Sequence, residues 1–526
     1  MTVRRLIIGG LLTLAVLAVV LQITIDFSAE NIASACLVLA STISILLYIG
    51  CTPAMEIQPI STFAIFGFCA TTQLGALLFQ TAAWTPLRSS LYDPLYTFGT
   101  LALYQAIALA VHAAYCFVFT AKRPGFWPLR GALDRVGLYR TPSAGALWIL
   151  GVIGLASFAI GGTAFNSSVS NVVAKICIGV NFLTWAPFLI PLYLRDAGES
   201  YCNSMHAKPL LVLYALAVCG LGLAVNLRGI MFFGVVTVGL YYLSVGMRST
   251  APVTSAALLK LGAVAAVALA VGGPVSDLAT AMQIARGARG KISSLEMIES
   301  TFEVWRRPDL ISAYRLNEKN AVRTAYDESY IANSMASRFI ESKFHDNSLH
   351  FAGLITTEDG KARLRNYTIA TLWYVLPTPL LSALGITINK EELKFSQGDY
   401  LVYLSRGIPL GGYKTGSMDA EGIAELGWLY PFVYAGICLV LYVLMDLWTV
   451  RSSSGVASVS ALAMMKTWIL FIYGITAESF GATFAFIARD WLQMILIYLL
   501  FLTLATMILP RKQAPITATG EFAGPL

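Results

Sequence analysis

The sequence predicts an all-α, polytopic membrane protein of about twelve transmembrane helices with one large, mainly helical external loop, and three observations predict it. The 526-residue chain is 57% hydrophobic and only 12% charged, where soluble domains carry about 25% charged residues. Its mean hydropathy is +0.69. Apolar runs of roughly 18 to 25 residues, long enough to cross about 30 Å of hydrocarbon, recur along the chain. One long stretch, Ser276 to Glu425, interrupts them with mixed, charged, Tyr-rich sequence.

Taken in order, the predicted spans run from 6 to 25, 32 to 50, 60 to 82, 97 to 120, 144 to 163, 171 to 193, 209 to 226, 229 to 246, 253 to 273, 426 to 447, 460 to 479 and 490 to 509. Two of them meet at Asn226 to Gly229 with almost no loop between. Residues 1–274 thus hold the first nine spans, 275–425 the external loop, 426–509 the last three spans and 510–526 a disordered cytoplasmic tail. The stretch Met1 to Phe27 has a basic start and an apolar run too long for a signal peptide, and is read as a retained span. The loop Ala121 to Ser143 is basic with Trp127 and Pro128, which reads as a positive-inside anchor with an interfacial helix, or as a lipid head-group site.

The net charge of +7 does not point to nucleic acid, because the basic excess lies in short loops between apolar runs. With the N-terminus inside, thirteen basic residues (Arg4, Arg5, Lys122, Arg123, Arg130, Arg135, Arg140, Arg195, Lys208, Arg248, Arg451, Arg511 and Lys512) fall in cytoplasmic segments. Only Arg88, Arg228 and Arg489 fall in short external loops. Lysine and arginine are retained on the cytoplasmic side, so both termini are expected there, and 275–425 is expected to face a periplasm. The eight cysteines lie in or beside apolar segments. Without CxxC or paired His/Cys spacing, no disulfide framework, metal site or cofactor is expected. Lys175, Lys260 and Lys466 fall near predicted span ends, where a lysine can snorkel. Glu478, Arg489 and Asp490 are expected at the outer ends of the last two spans.

Within the loop, Ser293 to Arg307 has helical periodicity, with Leu295, Ile298, Phe302 and Trp305 on one face. The run from Arg323 to His350 also reads as helix and ends in His345, Asp346 and His350. Tyr367 to Gly385 is apolar, but Pro377 and Pro379 interrupt it, which suggests a re-entrant or interfacial hairpin.

Two short runs resemble a known family. GGYKTGSMDAEGIAELGWLYPFVYAG, Gly411 to Gly436, is similar to the C-terminal signature of Wzy-type oligosaccharide repeat-unit polymerases, with Glu421 and Gly427 in the places of its Glu and Gly. NLRG, Asn226 to Gly229, resembles the Arg-Gly that these polymerases and the related O-antigen ligases carry at the outer end of a span. The resemblance implies an enzyme of the bacterial inner membrane, a membrane glycosyltransferase of polysaccharide biosynthesis. It implies polymerisation of undecaprenyl-pyrophosphate-linked repeat units into an O-antigen or exopolysaccharide, without nucleotide sugar or metal. Lipid-linked oligosaccharides, membrane lipids and a chain-length regulator would be its partners. The alternatives are an O-antigen ligase or another polyprenyl-phosphate-dependent glycosyltransferase, and a lipid-linked sugar flippase. No clear predicted span has a central acidic residue, and no internal repeat is found, which favours an enzyme over a transporter.

A departing lipid pyrophosphate gains negative charge, which an arginine fork can stabilise bidentately. The loop carries ten arginines, Arg286, Arg289, Arg306, Arg307, Arg315, Arg323, Arg338, Arg363, Arg365 and Arg406. Arg228, Arg286, Arg289 and Arg406 are the candidate pyrophosphate ligands, although Arg228 also suits an interfacial anchor and Arg286 and Arg289 suit a solvated surface. His345, His350, Asp346 and Glu421 are candidate general bases, and Glu421 equally suits a structural hydrogen bond. Asp26 and Glu30 follow the first span, where other polyprenyl-phosphate glycosyltransferases also carry acidic residues.

Overall fold

The computed structural model describes residues 1–118, 128–161, 172–191, 207–288, 291–320, 326, 330–331, 336–376, 378–389, 393–451 and 457–509. Arg289, Arg323, Lys122, Arg123, Arg195 and the tail 510–526 lie outside them. The fold of the described residues is helical apart from a small hairpin pairing Thr449–Arg451 antiparallel to Ala457–Val459.

Nine of the described helices are long and apolar enough to cross a membrane: Val3–Ile25, Ala29–Cys51, Pro59–Ala82, Pro94–Val118, Ala144–Gly161, Arg228–Arg248, Ser255–Ala288, Met418–Asp446 and Phe480–Ile508. The chain is therefore a multi-pass membrane protein. Shorter apolar helices, Ile176–Leu189, Lys208–Ala224 and Ala461–Tyr473, occupy the three remaining predicted positions. Two boundaries differ from the prediction for a physical reason. The helix from Ser255 continues to Ala285, because Ser276 to Ala285 carries few charges and no helix breaker after Pro274. The last helix begins at Phe480, so Arg489 and Asp490 lie within it rather than at its end.

Pro59–Ala82 is the central element, with 78% of its most apolar window buried. Its middle turn, Ala70–Leu74, widens to a π-helix, which disturbs the i to i−4 ladder and offers carbonyls to neighbours. The segment after residue 290 docks there, as the Glu341 N–H donates to the Thr71 carbonyl (3.0 Å) and the Ser342 hydroxyl to the Thr72 carbonyl (2.7 Å). Gly67 lets helix Ala461–Tyr473 come close, since a Cβ there would lie 2.0 Å from the Phe471 carbonyl oxygen.

The polar segment builds its own small core from Leu349, Phe351, Ala352, Ile355, Leu364, Leu401, Val402 and Ala420. Ser294–Trp305 is helical as its periodicity predicts, started by a capping box of Ser293 and Glu296. Its Ile298 and Phe302 pack on Leu223, Met231 and Met282, whereas Leu295 is exposed. Of the run predicted helical from Arg323 to His350, the described helix covers Ser342–Gly353. Glu358–Tyr374 and Thr378–Ala383 are separate helices, broken where the prolines predict.

Candidate functional site

Helix Ser342–Gly353 is anchored by its own charges. Asp346, almost fully buried, accepts hydrogen bonds from the backbone N–H groups of Tyr92 (2.9 Å) and Asp93 (3.1 Å), the Thr97 hydroxyl (3.1 Å) and the Lys343 ammonium (2.9 Å). These bonds consume its acceptor capacity, so Asp346 holds the helix against the start of Pro94–Val118. The neighbouring residue, His345, is thereby held against helix Met418–Leu426.

That second helix starts at Ser417, whose side chain caps the Ala420 N–H (3.4 Å). The Met418 N–H is taken by the Ala477 carbonyl (3.0 Å). The Ser417 hydroxyl lies 2.8 Å from His345 Nδ1, and Asp419 Oδ2 lies 3.7 Å from the same nitrogen. The Tyr430 hydroxyl donates to Asp419 Oδ1 at 2.8 Å. Gly422 allows this, because a Cβ there would meet the Tyr430 ring at 2.2 Å. Burial pushes the His345 imidazole down to about 4, so it is neutral at neutral pH. With Nδ1 occupied by Ser417, Nε2 is the nitrogen left to meet a substrate.

His345 lines a narrow cleft with Glu341, Thr415, Gly416, Tyr473, Thr476 and Glu478, whose volume of about 10 Å³ is that of about one water molecule. The Tyr473 hydroxyl donates to Glu341 at 3.4 Å. A neutral imidazole backed by a carboxylate, in a cleft lined by two further carboxylates, can take a proton from a bound hydroxyl and hold the resulting cation.

Glu421 is fully buried one turn further on. Its carboxylate accepts from the Thr368 hydroxyl and the Phe480 N–H (2.8 Å), and the same Thr368 hydroxyl also lies against Glu425. One hydroxyl hydrogen thus serves two carboxylates. Glu421 ties three helices together beside the cleft, in the structural manner that its surroundings suit.

The other candidates fall into two further groups. His350 stacks on Tyr92 (centroids 3.9 Å apart, planes 5° apart), and the Arg406 guanidinium lies 5.0 Å over the adjacent Phe351 ring. Burial lowers the His350 pKa, with Arg406 and Lys343 acting the same way and Asp346 opposing them. Arg228 opens helix Arg228–Arg248 and donates to Gln283 Oε1 at 3.1 Å. Asn226 makes the tight turn before it, at φ 51°, and is pinned to the Met282 carbonyl (3.0 Å). Arg286, exposed, follows Gln283 by one turn, which places Arg228 and Arg286 at one corner of the bundle. Arg289 lies outside the described residues. Asp26 and Glu30 face Arg88 as ion pairs.

Sequence reasoning missed Ser417, Asp419, Lys343, Thr368 and Glu341. Ser417 and Asp419 carried a signal, since a capping Ser followed by alternate acids opens an otherwise apolar helix. Comparison of the chain with protein-family models, with curated proteins and with solved structures gave no match.

Proposed function

We propose that this chain is a membrane glycosyltransferase of the repeat-unit polymerase type, which joins polyprenyl-pyrophosphate-linked oligosaccharides at the outer face of a bacterial inner membrane. The observation that carries the reading is the convergence of Ser417 and Asp419 on His345, which itself lines a cleft with the carboxylates of Glu341 and Glu478. Resemblance of the Gly411 to Gly436 run to the polymerase signature supports it, because Ser417 and Asp419 fall within that run.

In the proposed step, a sugar hydroxyl of the incoming unit attacks the anomeric carbon of the donor glycan. The C–O bond to pyrophosphate breaks, and its electron pair leaves with the polyprenyl pyrophosphate. The hydroxyl proton passes to His345 Nε2, and Asp419, 3.7 Å from Nδ1, stabilises the imidazolium. Arginines at the membrane ends of the helices, Arg228 and Arg286 first among them, would meet the departing pyrophosphate. Glu421 keeps helix Met418–Leu426, and with it Ser417 and Asp419, in place.

Purified protein in nanodiscs, given lipid-linked oligosaccharide and no nucleotide sugar, should produce longer lipid-linked chains, and EDTA should not stop it. His345→Gln should abolish elongation with substrate binding retained. Transfer only to lipid A core would make the protein a ligase. Movement of the lipid between leaflets without bond formation would replace the enzyme reading with a flippase.

A further inference from the structure

The pair of helices that the prolines separate, Glu358–Tyr374 and Thr378–Ala383, carries no charge where it would be expected to. From 366 to 389 the chain holds no Asp, Glu, Lys or Arg, although it lies within the polar segment. Its inward side chains have partners. Leu364, Tyr367, Thr368, Val375 and Leu381 are buried, and a Cβ at Gly481 would lie 3.0 Å from the Thr371 hydroxyl, so the first helix packs closely on the last span. Its outward side chains do not, since Ile369, Trp373, Tyr374, Leu380 and Leu384 are all exposed.

This exposed surface changes along the helix axis rather than around it. Arg363, Arg365 and Asn366 face outward first, and Ile369, Trp373 and Tyr374 follow over the last turns. A helix lying flat on a membrane sorts its apolar residues into a lengthwise stripe. An end-to-end gradient instead fits a helix that passes from water through head groups into hydrocarbon. From Arg365 to Tyr374 the rise is about 13 Å, less than half of a hydrocarbon core of roughly 30 Å. The tip also meets the demand that hydrocarbon makes of a backbone, that its polar groups pair internally. The Leu376 N–H donates to the Trp373 carbonyl (3.0 Å). The second helix closes on Gly385, at φ 69°, as the Gly385 N–H donates to the Ser382 carbonyl (3.1 Å) and the Ile386 N–H to the Leu381 carbonyl (2.9 Å).

We propose that 366–389 is a re-entrant hairpin inserted into one leaflet of the bilayer, its exposed apolar residues against lipid acyl chains. Arg363, which donates to the Tyr403 hydroxyl at 3.4 Å, and Arg365 then lie at the level of the lipid phosphates. The elements beneath the hairpin say what covers it. Glu358–Tyr374 packs on Met418–Leu426 and Phe480–Ala485, which are the first turns of two membrane-crossing helices. Trp428, Phe432 and Phe484 are exposed on those same helices, so the lipid around the spans is continuous with the apolar face of the hairpin. The Thr368 hydroxyl lies against both Glu421 and Glu425. Through it the inserted hairpin ties the helix that carries Ser417 and Asp419 to the bilayer, and nothing in this rests on glycosyl transfer.

The test places a fluorescent amino acid at a single position of the full-length chain in nanodiscs, in place of Leu384 or, in a second protein, in place of Arg363. Quenching by phospholipid brominated along its acyl chains is compared with quenching by aqueous iodide. At 384 the brominated lipid should quench and iodide should not, whereas at 363 iodide should be the stronger quencher. Adding Leu380→Asp to the first protein should shift its label toward iodide, because a carboxylate in hydrocarbon is costly. Quenching of the 384 label by iodide without that substitution would overturn the inference by placing the hairpin in water. Protection from both quenchers would overturn it by placing the face against protein, such as a second copy of the chain. Thermal unfolding midpoints equal to wild type confirm the fold of each labelled protein, and where the label at 384 prevents folding, the same label in place of Trp373 gives the same reading.

Discussion

Replacing Asp346 should detach the helix that carries His345, and the size of the effect follows from its partners. The Lys343 and Asp346 side chains are 2% and 1% exposed. Removing one partner of a buried ion pair costs about 3–5 kcal/mol, chiefly through the charge left behind. The amides of Tyr92 and Asp93 lose their acceptor as well, at about 1–3 kcal/mol for each buried group left unsatisfied. Lys343 keeps its bond to the Ser90 carbonyl, which softens the loss. Asp346→Ala is therefore expected to cost about 4–6 kcal/mol, an opening equilibrium raised on the order of a thousandfold or more. Asp346→Asn keeps an oxygen for the amides and should cost about 3 kcal/mol. Adding Lys343→Met to Asp346→Asn should recover part of it, because the uncompensated charge is then gone. Hydrogen exchange in nanodiscs reads the effect directly, as lost protection across 342–353 and 92–97 with the central helix Pro59–Ala82 little changed. Unchanged protection in Asp346→Ala would refute the staple and the positioning role that rests on it.

Other expectations can be tested on the same preparation. His345 is held neutral, down to about 4 from an ordinary 6.5, so the unfolded chain binds the extra proton between those values. Its contribution of about 3 kcal/mol is complete above pH 6.5 and lost as pH falls toward 4. The unfolding midpoint of wild type should therefore fall relative to that of His345→Gln as pH drops from 6.5 toward 4, with a constant difference above pH 6.5; parallel curves throughout would contradict this. Arg228→Lys should impair chain elongation nearly as much as Arg228→Ala, because a point charge does not replace a bidentate fork. Full activity of the Lys variant at normal membrane levels would reduce Arg228 to an interfacial anchor. Thr368→Val removes the hydroxyl between Glu421 and Glu425 and should destabilise by about 1–3 kcal/mol, read as a lower thermal midpoint.

Much of the helical frame was legible in the chain itself. Apolar runs of membrane length have one favourable solution in hydrocarbon, a helix that satisfies its own backbone, so local composition alone placed Val3–Ile25, Ala29–Cys51 and Pro94–Val118. The helix predicted from Ser293 and the break before Thr378 were likewise local chemistry. The site was legible in part. His345 and Glu421 were selected one by one as titratable residues in the polar segment. Their meeting at one helix was not visible, because it depends on contacts between residues more than seventy positions apart, as between His345 and Ser417.

Some residues changed meaning only in three dimensions. Asp346 is chemically a possible base, and becomes a staple because three donors at the start of another helix, and Lys343 of its own helix, converge on it. Arg489 and Asp490 read as the outer end of a span in sequence, and lie within a helix because the last span begins as early as Phe480. Sequence determines which segments must be helical and apolar, since that is a matter of each residue's own solvation. Tertiary structure decides which polar groups find partners, and so which remain available to a substrate, because partnership belongs to pairs that folding alone brings together.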